Sequence, residues 1–213
     1  TYVVPDFYGR TIEELEAVNY NKIYEFIVID SIYDPNNKKE AIVIQNPYPG
    51  ARVKKGRKVY VTTVAKSREK VDMPNLIDLS LRQAINLLNA KGLRINKLEY
   101  VEDFADNAVL EQTYDGELIE PGTEIDKGSS IDLILGLGKN NKVPVPFVIG
   151  KTAREAVNTI NRASFNVGNV YYLDGKDPEH SRVYQQEPDW GHGTSLYKGQ
   201  EINIWLRSDQ NFD

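Results

Sequence analysis

Met73-Pro74-Asn75-Leu76-Ile77-Asp78-Leu79-Ser80-Leu81-Arg82-Gln83 joins an extended lead-in to a helix start. Pro74 fixes its own φ and turns its predecessor away from helix, so Met73–Ile77 reads as extended chain. Ser80 and Gln83 form a capping box, in which hydroxyl and amide satisfy the orphan N–H groups of a helix N-terminus. Leu81, Ala84, Ile85 and Leu88 then fall on one helical stripe. Gly92 stands where a left-handed residue ends the helix. Strand-like stretches follow at 95–101 and 108–113. After Lys127-Gly128 comes Ile131-Asp132-Leu133-Ile134-Leu135, apolar at alternate positions.

The same order of signals recurs on either side. Pro5, Pro74 and Pro146 each precede a Ser or Thr by six positions, at Thr11, Ser80 and Thr152. Glu14, Gln83 and Glu155 follow those caps by three. A period of this kind marks a modular array. In the first copy Ile12, Leu15 and Val18 serve the helix, Asn21 is the expected left-handed terminator, and strands are predicted at 26–32, 41–45 and 59–63. In the third, Ala156, Val157 and Ile160 face inward, with strands at 167–173, 182–187 and 202–206. The predicted architecture is α+β: three tandem modules, 1–66, 71–137 and 142–208. Each places one α-helix on a three-stranded sheet, and together they form an extended array. Modules of this size bury only about 60% of their unfolded surface, so neighbours are expected to stabilise one another. The spacers near 65–72 and 137–142 are short and polar, which predicts limited bending.

The chain has 213 residues and a net charge of −5, spread unevenly. Residues 1–68 carry eleven Lys and Arg against eight Asp and Glu, residues 69–139 seven against fourteen, and residues 140–213 eight against nine. An acidic centre excludes a continuous nucleic-acid track. Cysteine is absent, which removes disulfides and thiolate metal sites and suits an oxidising compartment. No stretch approaches the ~20 apolar residues of a membrane span.

Val4-Pro5-Asp6-Phe7, Gly9, Thr11, Glu14, Gln45-Asn46-Pro47, Gly50, Val53, Lys55-Gly56 and Val59 resemble the PASTA domain of penicillin-binding proteins and serine/threonine kinases. Val145-Pro146, Gly150, Thr152, Glu155, Gln186-Glu187-Pro188, Gly193, Leu196, Lys198-Gly199 and Ile202 resemble it again. The middle copy departs from the pattern: Asp78 stands in a glycine position, Gln112-Thr113-Tyr114 lacks the proline, and about five extra residues precede Pro121-Gly122. The resemblance implies a helix on a three-stranded sheet and a periplasmic or cell-surface location. It further implies peptidoglycan or muropeptides as partners, other cell-envelope proteins as alternatives, and an N-terminal membrane anchor upstream of Thr1. No kinase or transpeptidase domain is recognised. No enzymatic activity, cofactor, metal or nucleic-acid partner is expected.

Three groups are candidate ligand-binding residues. Arg52, Lys54, Lys55, Arg57 and Lys58 straddle the first Lys-Gly turn; clustered like charge attracts anionic polymers, while lysines also deter edge-to-edge sheet pairing. Trp205 falls on the face opposite Ile202, Ile204 and Leu206, suited to stacking on a sugar ring or to packing. Trp190 sits in a loop two residues longer than its first-module equivalent, where exposed aromatics are disproportionately contact residues. His180 and His192 are the only histidines, both in predicted loops and without the converging ligands zinc needs. Glu99, Glu102, Asp103 and Asp106 lack the glycine-centred pattern of a calcium loop and read as a solvated hairpin. No nucleophile–base–orienter set is present.

Overall fold

The computed structural model describes residues 1–191 and 193–209. It divides into two compact units, Thr1–Glu69 and Lys70–Asp213. The first is module 1; the second holds modules 2 and 3.

Module 1 runs β1 (Tyr2–Val3), α1 (Ile12–Ala17), β2 (Tyr24–Ile32), β3 (Ile42–Asn46), β4 (Arg52–Val53) and β5 (Arg57–Val64). Module 2 runs β6 (Lys70–Asp72), α2 (Leu81–Ala90), β7 (Arg94–Val101), β8 (Val109–Tyr114), β9 (Glu117–Leu118), β10 (Glu124–Asp126) and β11 (Ser130–Gly136). Module 3 runs β12 (Lys142–Pro144), α3 (Ala153–Arg162), β13 (Asn166–Tyr172), β14 (Ser181–Glu187), β15 (Ser195–Tyr197) and β16 (Glu201–Ser208). In every module the last strand is central, parallel to the strand after the helix and antiparallel to the next: β2-β5-β3, β7-β11-β8 and β13-β16-β14. The long connection that a parallel pair requires runs through the antiparallel strand and the pre-turn segment, while the helix enters the sheet at its first strand. One buried cluster per module fills the space between helix and sheet, centred on Phe7 and Leu15, on Ile85 and Leu133, and on Ile160 and Phe165.

Three features depart from the sequence reading. The residues just before each extended lead-in are strands, in module 2 within the predicted spacer, and each pairs with the segment before the Lys-Gly turn: β1 with β4, β6 with β10 and β12 with β15. The module 2 insertion is a hairpin, β8–β9, which adds a fourth strand to that sheet. Helix α1 ends at left-handed Asn19 (φ 65°), two residues before Asn21, and a 3-10 turn over Tyr20–Lys22 follows. Asn is among the few residues other than glycine that visit that conformation routinely. Asp78 keeps the geometry of the glycines it replaces, at φ 65° against 77° for Gly9 and 84° for Gly150.

All three capping boxes close in both directions. The Thr152 N–H and hydroxyl hold the Glu155 carboxyl below its ordinary value, and Lys38 together with the Thr11 N–H does the same for Glu14. A depressed carboxyl pKa stabilises the fold above the unfolded value and loses that contribution as pH falls through the folded one. Thr152→Ala is expected to cost about 1 kcal/mol in denaturant titration near neutrality. Its cost should shrink on acidification, once Glu155 is protonated; a pH-independent cost would contradict the coupling.

Modules 2 and 3 share a hydrogen-bonded joint. The Asn166 amide meets the backbone of edge strand β7 as a strand residue would: it accepts from the Leu98 N–H at 2.8 Å and donates to the Leu98 carbonyl at 2.9 Å and the Gly199 carbonyl at 2.7 Å. Lys198 of the third Lys-Gly turn is buried, donating to Asp106 at 2.5 Å and to the Leu137 carbonyl at 3.0 Å. Asn89–Asn158 and Asn86–Arg162 tie α2 to α3. Leu98 is 1% exposed beneath this joint, while Val170, its counterpart in module 3, is 39% exposed. Burial pushes the Tyr100 phenol up to about 12, so it remains a donor, bonded to Asn107.

Candidate functional site

Each module is closed by a glutamine. Gln45, Gln112 and Gln186 accept from the N–H two residues after the lead-in proline, at Phe7, Leu76 and Val148, and donate to that proline's carbonyl. The second amide proton reaches the following loop, at the carbonyl of Pro47, Ile119 or Pro188. One side chain therefore fixes the lead-in, the second sheet strand and the loop. Gln112 and Gln186 are buried, and buried amides require such full satisfaction. In module 2 the β8–β9 hairpin brings Ile119 to the place held elsewhere by proline.

The surface beside this clamp is apolar and open in modules 1 and 3. Trp190 is 47% exposed and meets Phe147, 48% exposed, edge to face at 4.7 Å. Phe147 directly follows Pro146, whose carbonyl Gln186 binds, so the clamp positions both rings. Trp190 is thus where the sequence expectation placed it; Phe147, forty-three residues away, is not visible to that reasoning. On module 1 Asp6 and Pro49 hold the positions of Phe147 and Trp190; with Tyr8 and Ile44 they line a shallow cavity of about 330 Å³, and Tyr8 and Tyr48 are exposed. Module 2 has instead a polar hollow of about 480 Å³ under its hairpin, lined by Asn96, Tyr114, Asp115 and Asp132.

Trp205 stands apart from this surface. It is half-buried and stacks on Tyr171 of the neighbouring strand at 5.1 Å with rings 21° apart. Arg52, Lys54, Lys55, Arg57 and Lys58 are all exposed around the first Lys-Gly turn. His180 pairs with Asp177 at 3.1 Å, and His192 lies outside the described residues. Asp106 serves the joint, and Asp103 accepts from the Ala105 N–H. Among the described residues no group of three or more His, Asp or Glu could hold a metal. Among those residues, too, no helix is long and apolar enough to cross a membrane.

The repeated clamp, central last strand and Lys-Gly turn agree with a comparison against known families. The model of the PASTA domain matches residues 2–65, 71–136 and 143–208. The chain belongs to the PASTA family. The three matched segments are the three modules described above. The chain is 28% identical over 169 residues to the probable serine/threonine-protein kinase PknB of Corynebacterium glutamicum, covering 78% of this chain and 24% of that protein. It is 31% identical over 155 residues to the probable serine/threonine-protein kinase SCO3848 of Streptomyces coelicolor, covering 72% and 22%. The chain thus spans about a quarter of the length of these curated relatives. Among solved structures, the three-PASTA-domain of a Ser/Thr kinase from Staphylococcus aureus aligns over 96% of this chain and 98% of its own, with 24% identity and a TM-score of 0.47.

Proposed function

We propose that this PASTA chain is an extracytoplasmic binding region that recognises peptidoglycan fragments through the aromatic surface beside the glutamine clamp. The observation that carries this reading is the exposed Phe147–Trp190 pair. A rigid aromatic edge held by a buried amide presents a flat apolar face at little conformational cost, the requirement for stacking on a sugar ring. Exposed Tyr8 and Tyr48 offer further aromatic faces on module 1, and linked sites raise avidity through effective concentration. Membership of the PASTA family supports an extracytoplasmic compartment and attachment through a membrane anchor.

Titrating the labelled full chain with muropeptides should shift amides at 145–149 and 184–190. Trp190→Ala should weaken that response about tenfold, the value of roughly one aromatic contact. Unmoved resonances at millimolar ligand would end this reading. A second reading, a spacer or protein–protein module of a surface protein, draws on the joint between modules 2 and 3, which suits a stiff element. It predicts a constant module 2–3 geometry in solution together with silence toward muropeptides.

A further inference from the structure

The three Lys-Gly turns are built alike and used differently. In each, the glycine N–H donates to the chain just after the helix: Gly56 to the Ile23 carbonyl at 2.7 Å, Gly128 to Gly92 at 2.7 Å and Gly199 to Ser164 at 2.8 Å. Lys198 is consumed in the joint, with a side chain only 2% exposed. Lys127 lays its stem against Gly92, where an added Cβ would stand 2.8 Å from its Cε. Lys55 does neither. It stands in solvent with Arg52, Lys54, Arg57 and Lys58, and the Gly56–Ile23 bond brings Lys22, thirty-three residues before Lys55, to the same place.

None of these six cations forms an ion pair among the described residues, whereas Lys38, Lys66 and Lys70 elsewhere each find a carboxylate. Glu25 is the one acidic residue in register with the group, opposite Lys58. Assembling six like charges around a single carboxylate costs self-repulsion, and the turn is held firmly enough to keep them together. We propose that this turn of module 1 is a docking site for a flexible, linear phosphodiester polymer.

The geometry selects that ligand class. Val59 and Val61 enter the core, so strand alternation sends Lys58 to the outer face of the sheet and Arg57 to the helix side. Lys54 and Lys55 cap the rim, and Arg52 lies on the adjoining ribbon. Cations that diverge over a rim cannot converge on a single phosphate, and a planar membrane surface reaches one face of the turn only. A flexible polyanion follows the rim and meets cations on both faces. The site involves no residue of the aromatic surface and does not rest on the peptidoglycan reading.

The test uses the full chain and a synthetic poly(glycerol phosphate) oligomer, with inorganic phosphate and phosphatidylglycerol vesicles as separate arms. Affinity for the oligomer should fall with salt as expected for about four phosphate contacts on a flexible single strand, roughly fiftyfold between 50 and 200 mM. Lys54→Gln/Lys55→Gln/Arg57→Gln should weaken it at least tenfold, with an unchanged melting curve because these side chains are solvated. Lys127→Gln and Trp190→Ala should leave oligomer binding intact, so failure here and failure of the muropeptide titration are separately readable. Absence of oligomer binding at low salt, an undiminished affinity in the triple variant, or equal affinity for the vesicles would each overturn the proposal.

Discussion

Replacing Gln186 by alanine should lower the stability of the Lys70–Asp213 unit by about 3 kcal/mol, a fall in Tm of roughly 10 °C. The substitution removes three bonds and leaves the Val148 N–H and the Pro146 and Pro188 carbonyls to find partners at a site where Gln186 is 2% exposed. Gln186→Glu separates hydrogen bonding from volume. A carboxylate still accepts from Val148 but confronts two carbonyl oxygens, so its pKa in the folded state must rise. Stability from a raised carboxyl pKa is present below the unfolded value near 4.3 and lost as pH climbs through the folded one. Gln186→Glu should therefore approach the parent at pH 4 and fall well below it at pH 7. Equal deficits at both pH values would refute the clamp as the cause. The exposed Phe147–Trp190 edge should lose its order along with the clamp, visible as a change in tryptophan fluorescence before global unfolding.

The second large effect is expected at the joint. Asn166→Ala should cost about 2 kcal/mol, because it leaves a buried N–H and two carbonyls without partners, and it should split the thermal transition of modules 2 and 3. The ion pair beside it should respond asymmetrically. Asp106→Ala leaves the ammonium of Lys198 buried without its counter-ion, whereas Lys198→Met leaves a carboxylate that is 58% exposed and readily hydrated. The first should be the more damaging. Calorimetry of the two variants decides this: an equal or reversed ranking, or a single undivided transition in Asn166→Ala, would contradict a joint built on these residues.

Much of the fold is legible in the sequence because its signals are local. Capping boxes, lead-in prolines and alternating strands each act within a few residues, so Thr11, Ser80 and Thr152 mark helix starts without reference to tertiary contacts. The glutamines mark the repeat, but their role is hidden: all their partners are backbone groups, as much as forty residues away. The pairing of the residues before each lead-in with the pre-turn segment is hidden for the same reason, since strands of two or three residues carry no periodicity. Asn19 rather than Asn21 ends α1 because the helix closes after barely two turns, which no pattern in the segment specifies.

For the candidate site, loop position alone exposes Trp190. Its partner Phe147 requires the clamp to be seen first. The burial of Lys198 runs against its residue type, and only the arrival of module 2 with Asp106 explains it. Trp205 shows the reverse case. Alternation puts it on the outer face correctly, yet Tyr171 on the next strand occupies one side of its ring.

The joint also makes the repeats non-interchangeable. Three look-alike copies invite the idea that gene duplication could shuffle them freely, but Asp106 and Lys198 are a lock and key between modules 2 and 3. In module 1 the position of Asp106 holds Lys39, so a transplanted third copy would set one ammonium against another. Such an order of beads on the string, once fixed by a single charge pair, can lengthen at its ends but resists permutation from within.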